Sequence, residues 1–155
     1  MGIYLNPENV DFQEVLNSKI YVDKSELIQY TNSVLRTTQK YICVSRPRRF
    51  GKSMAANMLT AYYSRGCDSR ELFQGLKIAT HPDFEKHLNQ YNVIHLNMRD
   101  YLTESENMKQ LIQFVEDDLL DELQQEFSDL RMPRRKTLVK VLEQAFVQYK
   151  IPFVF

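Results

Sequence analysis

The sequence predicts an α/β domain built on a parallel sheet, and two observations support this. Three short apolar runs have the length and residue types of buried strands, namely KYICVS (40–45), NVIHLNM (92–98) and IPFVF (151–155). Segments with the 3–4 spacing of amphipathic helices separate them, and helical crossovers between buried strands are typical of parallel sheets. The 155 residues suffice for one domain with its own core.

Two helices are expected before the first strand. VDFQEVLNSKIYV (10–22) predicts a short helix followed by an extended piece at 19–22. The segment DKSE (23–26) has the capping-box pattern, in which an acceptor side chain is followed three residues later by Glu. It therefore predicts that a second helix starts close to Asp23.

Four further helices are expected downstream. In KSMAANMLTAYYSRG (52–66), apolar residues lie on one helical face that includes Tyr62, and Gly66 is a stop signal. DFEKHL predicts a short helix. A second capping box, TESE (103–106), precedes a long helix with apolar positions from 108 to 127. The segment RMPRRK then interrupts the helical pattern, and a last helix is expected to cover 138–149.

Composition narrows the class of protein. Twenty basic residues balance 20 acidic ones, so no global positive field indicates a nucleic-acid binder. The two cysteines, Cys43 and Cys67, lack metal-ligand spacing, and Cys43 is expected to be a small buried apolar residue. No apolar stretch approaches the length of a membrane span, so we expect a cytoplasmic protein without a membrane partner.

The segment RPRRFGKS (46–53) ends as a phosphate-binding loop ends, with Gly51, Lys52 and Ser53. In such a loop, main-chain N–H groups and the positive end of the next helix surround the phosphates, while the lysine reaches the β- and γ-phosphates. The hydroxyl of the Ser coordinates Mg²⁺. The cofactors expected are ATP and Mg²⁺, with Ser53 as metal ligand. The predicted nucleotide-binding residues are Arg49, Phe50, Gly51, Lys52, Ser53 and Met54.

The beginning of this loop departs from the common pattern. Arg46 stands where a glycine is usual, and Pro47 removes one N–H donor. A charge-assisted hydrogen bond contributes about 1.5–3 kcal/mol, so one missing donor weakens a set of four or five without abolishing it. Arg46 and Arg48 are candidates for phosphate or substrate contacts. The alternative is a solvated basic patch on a surface turn.

The strings YVDKSELI (21–28), RPRRFGKS (46–53), ELFQGLKI (71–78) and NVIHLNMRDY (92–101) resemble the bacterial AAA-ATPase-like domain family. The likeness runs from Asp11 to the end of the chain, and the Arg/Pro entrance of the loop is that family's own version. It implies a P-loop NTPase core with flanking helices, and a parent chain that often carries a restriction-endonuclease-like nuclease domain. On this basis residues 1–38 form an N-terminal family segment and 39–155 a partial NTPase domain.

The resemblance also assigns Asp23 and Lys24 to the family's YVDK segment. Two interpretations stay open for them, a contact to the nucleotide or to the phosphate loop, and a helix cap with a surface lysine. The metal-binding acids of an ATPase are expected after IPFVF, where family members continue into Asp-Glu. Asn97 and Asp100, after the preceding strand, are weaker candidates.

The sheet is therefore expected to be incomplete, ending at the Walker B strand. This chain should bind ATP without hydrolysing it alone, and open sheet edges predict self-association. The alternative function is a non-hydrolysing interaction module, whose arginine-rich loop binds an acidic protein or nucleic acid.

Overall fold

The computed structural model describes residues 2–155, and 51% of it is helical. The α-helices of this part of the chain are α1 (Val10–Leu16), α2 (Glu26–Val34), α3 (Lys52–Tyr63), α4 (Arg70–Phe73), α5 (Phe84–His87), α6 (Met98–Glu104), α7 (Met108–Glu126) and α8 (Leu138–Tyr149). A 3₁₀ helix spans Lys77–Thr80, and the strands are β1 (Asn92–Val93) and β2 (Phe153–Val154). The chain divides into two compact units. The sheet unit combines the N-terminal residues up to Pro7 with Asn92–Phe155, and the loop unit is Glu8–Tyr91.

The sheet unit contains a short parallel pair of strands. Asn92 is opposite Phe153 and Val93 is opposite Val154. The N–H of Ile94 donates to the carbonyl of Val154 at 2.8 Å, and Leu5 forms an antiparallel bridge to Ile94 on the other side. Two of the three predicted strands are thus present and parallel, although each is only two residues long. A helix-dominated chain with a small parallel sheet is compatible with the α/β class.

Helices α7 and α8 supply the core of the sheet unit. Leu119, Leu123 and Phe127 are buried at the four-residue spacing that predicted the long helix. From α8, Val141 and Ala145 are buried in the same cluster. Burying one such large apolar side chain contributes about 1.5–3 kcal/mol, so these two helices stabilise the short strands.

The start of α7 differs from the prediction. The capping box at 103–106 is wrong, because Thr103 and Glu104 lie in the last turn of α6. Instead, Asn107 caps α7 by accepting a hydrogen bond from the N–H of Gln110 at 3.0 Å. The side chain of Gln110 in turn accepts from the N–H of Glu106 at 2.7 Å, so a reciprocal cap forms a few residues later.

The strand predicted at 40–45 is not formed. Residues 40–50 are exposed and belong to no helix or strand; Tyr41 is 85% exposed, and Cys43 is exposed rather than buried. A strand is stable only when its N–H and C=O groups pair with a neighbour, and within residues 2–155 no strand pairs with this segment. The loop at 46–53 therefore follows an open segment and not a buried strand.

Aromatic side chains form the core of the loop unit. Tyr62 of α3 is fully buried, with its ring 5.6 Å from that of Phe73 and 5.7 Å from that of Phe84. Its hydroxyl donates to the carbonyl of Phe84 at 2.7 Å and accepts from the amide of Asn32 at 3.1 Å. Burial raises the pKa of Tyr62 to about 12. The predicted apolar face of α3 is buried at Met58 and Tyr62, whereas Met54 at its start is exposed, and the helix ends at Tyr63, before Gly66.

A single carboxylate binds the N-terminal segment to α7. Glu122 accepts hydrogen bonds from the N–H groups of Ile3 at 2.7 Å, Tyr4 at 3.0 Å and Leu5 at 2.7 Å. A Cβ on Gly2 would lie 2.1 Å from Oε2 of Glu122, so a side chain at position 2 would displace the carboxylate. These bonds hold Leu5 where it bridges to Ile94.

We expect Glu122→Ala to lower the free energy of unfolding by about 1.5–3 kcal/mol, because three N–H groups lose a charged acceptor. Gly2→Ala should lower it as well, since the new Cβ displaces the same carboxylate. Urea unfolding followed by circular dichroism measures both changes.

Asp121→Ala is the matched control, because this neighbouring carboxylate on α7 is exposed; its effect should stay within about 0.5 kcal/mol. The double variant Gly2→Ala/Glu122→Ala should be no less stable than Glu122→Ala alone. Fully additive effects would contradict the shared contact.

Candidate functional site

The loop at 46–53 turns sharply just before α3. Gly51 precedes the helix with a φ of +77°, and Arg49 has a φ of +68°. A glycine adopts this left-handed conformation without steric cost, whereas for Arg49 it costs about 1–2 kcal/mol. Such strain persists only where the surrounding contacts fix the backbone.

The first turn of α3 presents main-chain donors to solvent. Within residues 2–155 the N–H groups of Gly51, Lys52, Ser53 and Met54 have no hydrogen-bond acceptor, and the last three of these residues are exposed. The first bond of this turn runs from the N–H of Ala55 to the carbonyl of Gly51 at 3.0 Å. Because α3 has 12 residues, its dipole adds positive potential at these donors. The turn is suited to bind an anion.

Lys52 is bonded to the entrance of its own loop. Its Nζ donates to the carbonyl of Arg46 at 2.7 Å and to that of Pro47 at 3.0 Å. Pro47 has no N–H to offer, yet its carbonyl helps to hold the ammonium at the entrance of the loop. A bound anion would compete with these two neutral acceptors for the charge of Lys52.

Lys24 also contacts the loop. Its Nζ donates to the carbonyl of Phe50 at 2.9 Å, and it lies 3.1 Å from the point that a Cβ on Gly51 would occupy. Of the two interpretations left open for Lys24, the geometry agrees with contact to the loop. A side chain at position 51 would therefore meet both an unfavourable φ and the Lys24 ammonium.

Asp23 does not cap α2, so that prediction is wrong. The helix begins at Glu26, and the side chain of its N-cap residue, Ser25, makes no capping bond. One oxygen of Asp23 accepts from the N–H of Ser25 at 2.8 Å and the other from the N–H of Lys77 at 2.9 Å. The hydroxyl of Ser25 accepts from the N–H of Ile78 at 3.2 Å. Asp23 and Ser25 thus both bind the 3₁₀ helix, and neither caps α2.

Partial burial on its own raises the pKa of Asp23. Hydrogen bonds from the N–H of Lys77, and from the hydroxyl and N–H of Ser25, lower the pKa by more than burial raises it. The pKa of Asp23 is therefore lowered from its ordinary value. The ionised form is therefore the one that the fold favours.

The remaining predicted residues lie around the same turn. The guanidinium groups of Arg46, Arg48 and Arg49 are exposed and make no hydrogen bond or ion pair within residues 2–155. Phe50 and Met54 are 59% and 39% exposed. All of the residues predicted from 46 to 54 thus lie in one loop and one helical turn, with Lys24 bonded to it.

The donor set fits phosphate groups better than it fits a metal ion. Free N–H groups and the ammonium of Lys52 match phosphate oxygens. For Mg²⁺ the loop offers the exposed hydroxyl of Ser53, and the described residues contain no group of three or more His, Cys, Asp or Glu side chains arranged to hold a metal ion. Asn97, a weaker metal candidate, caps α6 by accepting from the N–H of Arg99 at 3.3 Å.

The sequence profile of the AAA-ATPase-like family, described as predicted AAA-ATPases, matches residues 10–154. The chain belongs to the AAA-ATPase-like family. Searches of curated proteins and of solved structures found no match. Membership agrees with the resemblance drawn from the motif strings, and it suggests that this AAA-ATPase-like domain interacts with a nucleotide. Among residues 2–155, no helix combines the length and apolar character needed to cross a bilayer.

Three residues near the loop of this AAA-ATPase-like domain were missed by sequence reasoning. Ile20, Tyr21 and Val22 line a cavity of about 280 Å³ together with Phe50 and Gly51. The sequence indicated only an extended piece at 19–22. The available signal was the string YVDKSELI, whose first two residues belong to this lining.

We expect the stabilising effect of Asp23 to depend on pH. Because its pKa is lowered in the folded state, the contribution is fully present above the ordinary Asp pKa of about 3.9 and is lost as pH falls through the folded-state value. The difference in urea midpoint between wild type and Asp23→Ala should therefore be largest near neutral pH and shrink below about pH 4.

Glu14→Ala, which removes an exposed carboxylate from α1, is the control for a general charge effect. A gap between wild type and Asp23→Ala that stays constant from neutral to acidic pH would show that the ionised carboxylate is not what the fold uses.

Proposed function

We propose that this AAA-ATPase-like domain binds ATP, with the phosphates at the start of α3. One observation carries the proposal: four adjacent main-chain N–H groups, those of residues 51–54, lack acceptors within residues 2–155, in the loop and helical turn that also carry Lys52. Family membership supports the choice of a nucleotide over other anions.

Each residue of the loop has a defined part in this proposal. Gly51, without a side chain, lets the phosphates approach the main chain. Lys52 exchanges the carbonyls of Arg46 and Pro47 for phosphate oxygens, which gives its charge an anionic partner. The hydroxyl of Ser53 would hold Mg²⁺, and the ion would neutralise charge on the β- and γ-phosphate oxygens.

The proposal for this chain is binding without turnover. Hydrolysis needs a carboxylate pair that holds the ion and orients the attacking water. The family resemblance leads us to expect that pair after the strand to which Phe153 and Val154 belong. We propose that the parent protein, in which a nuclease domain is also expected, carries out the hydrolysis.

Lys52→Ala should weaken binding of Mg-ATP by about 10- to 100-fold, because it removes the charge-assisted bonds to phosphate. Isothermal titration calorimetry at constant ionic strength measures the change. Lys40→Ala is the matched control, since it removes an exposed lysine of the same unit outside the loop and should leave the affinity unchanged.

Equal affinities for wild type and Lys52→Ala would remove Lys52 from the site. Ser53→Ala separates the metal from the phosphates: it should reduce the gain in affinity that Mg²⁺ gives, while metal-free ATP binds wild type and variant alike.

The three exposed guanidinium groups of the loop favour a second candidate function, an interaction module that binds nucleic acid or an acidic protein. Such binding should weaken steeply with salt, because neutralised phosphates release counterions. Single-stranded DNA bound with a steep salt dependence, unaffected by ATP and lost in Arg46→Ala/Arg48→Ala, would support it. Absence of DNA binding in wild type would exclude nucleic acid as the partner of this module.

A further inference from the structure

The cavity beside the loop has a largely apolar lining. Its volume is about 280 Å³, at the lower edge of the roughly 300–1,000 Å³ of pockets that enclose drug-sized ligands. It therefore suits a flat ring system better than a whole nucleotide. The walls come from the segment before α2, from the loop and from the first turns of α3, where Met58 forms the buried end.

Several large apolar side chains of this cavity are left in water. Ile20 is 83% exposed, Val22 64% and Phe50 59%. Exposed apolar side chains that converge on one cavity are a feature of binding sites, because a ligand covers them. The ring of Tyr21 packs edge-on against the buried ring of Phe12, with centroids 6.4 Å apart, so this wall has a defined position before any ligand binds.

The cavity is continuous with the anion-binding turn. Gly51 and Met54, whose N–H groups lack acceptors within residues 2–155, also line the cavity. Lys24, bonded to the carbonyl of Phe50, stands at the junction between the two. A ligand with an apolar ring at one end and phosphates at the other would span both features.

The charges of the lining limit how a ring could be recognised. Lys24 and Arg49 are its charged side chains, and no carboxylate is found among the described residues that line it. A site selective for guanine needs an acceptor for the ring N–H and the amino group, and a carboxylate is the strongest one available. Aromatic and aliphatic contacts do not distinguish adenine from guanine, because every base has a π face.

We propose that this cavity receives the base of the bound nucleotide and accepts adenine and guanine alike through stacking and apolar contact. The inference rests on the proposed phosphate site and adds the substrate class to it: purine nucleoside triphosphates rather than ATP alone. Phe50 and Ile20 are the residues that set this preference.

Calorimetric titration with the Mg²⁺ complexes of ATP, GTP, CTP and inorganic triphosphate tests the proposal. Wild type should bind ATP and GTP within about threefold of each other, and both about tenfold or more tighter than triphosphate, since stacking of a base is worth about 5- to 150-fold in affinity. CTP, with its smaller ring, should lie between.

Phe50→Ala should lower the ratio of ATP affinity to triphosphate affinity about tenfold, and Ile20→Ala should lower it less. Both side chains are exposed, so neither change should unfold the domain, and the circular dichroism spectrum checks this. Tyr41→Ala is the control, since it removes an exposed aromatic ring outside the cavity and should leave the ratio unchanged.

The outcomes separate the two proposals. Triphosphate and ATP of equal affinity in wild type, or an unchanged ratio in Phe50→Ala, would overturn the base cavity and leave the phosphate site standing. ATP bound at least 30-fold tighter than GTP would overturn the tolerance for both purines. If neither nucleotide nor triphosphate binds, the proposed function fails and the cavity proposal with it.

Discussion

The unpaired main-chain donors at the start of α3 are the constraint on which the chemistry of the loop unit depends. A helix cannot satisfy its own first N–H groups, and here no side chain caps them. The other end of α3 is fixed, because Tyr62 is buried among aromatic rings and bonded to Asn32 and the carbonyl of Phe84. The buried end of the helix thus fixes the direction in which its open end presents these donors.

Two lysines from different segments act on the same loop. Lys52 donates to the carbonyls at the entrance of the loop, and Lys24 donates to the carbonyl of Phe50 at its tip. Three carbonyl groups of the loop are therefore bonded to cations, while its N–H groups at the start of α3 stay open. This division explains how residues at positive φ, Arg49 and Gly51, are maintained without a preceding strand. Asp23 contributes indirectly, since its bonds to Ser25 and Lys77 fix the segment that carries Lys24.

Helices were predictable where periodicity alone determines them, and contacts between distant residues were not. A buried helical face follows directly from the four-residue spacing of Leu119, Leu123 and Phe127. A strand such as 40–45, in contrast, forms only beside a partner strand, which its own residues do not specify. The capping box at 23–26 failed for a related reason, because Asp23 bonds a residue 54 positions away. The box at 103–106 failed locally, because its first two residues continue α6. In the candidate site the motif string identified the loop, but the cavity wall around Ile20 became visible only in three dimensions.

The open stretch between α2 and α3 has a practical consequence. It joins exposed main chain to basic residues, Lys40, Arg48 and Arg49, without a helix or strand to protect them. Proteases with a preference for basic residues cleave such stretches first. Trypsin should therefore nick the loop unit here before it degrades the aromatic core, and a ligand that covers the loop would slow that cut. Limited digestion thus offers a label-free readout of ligand binding.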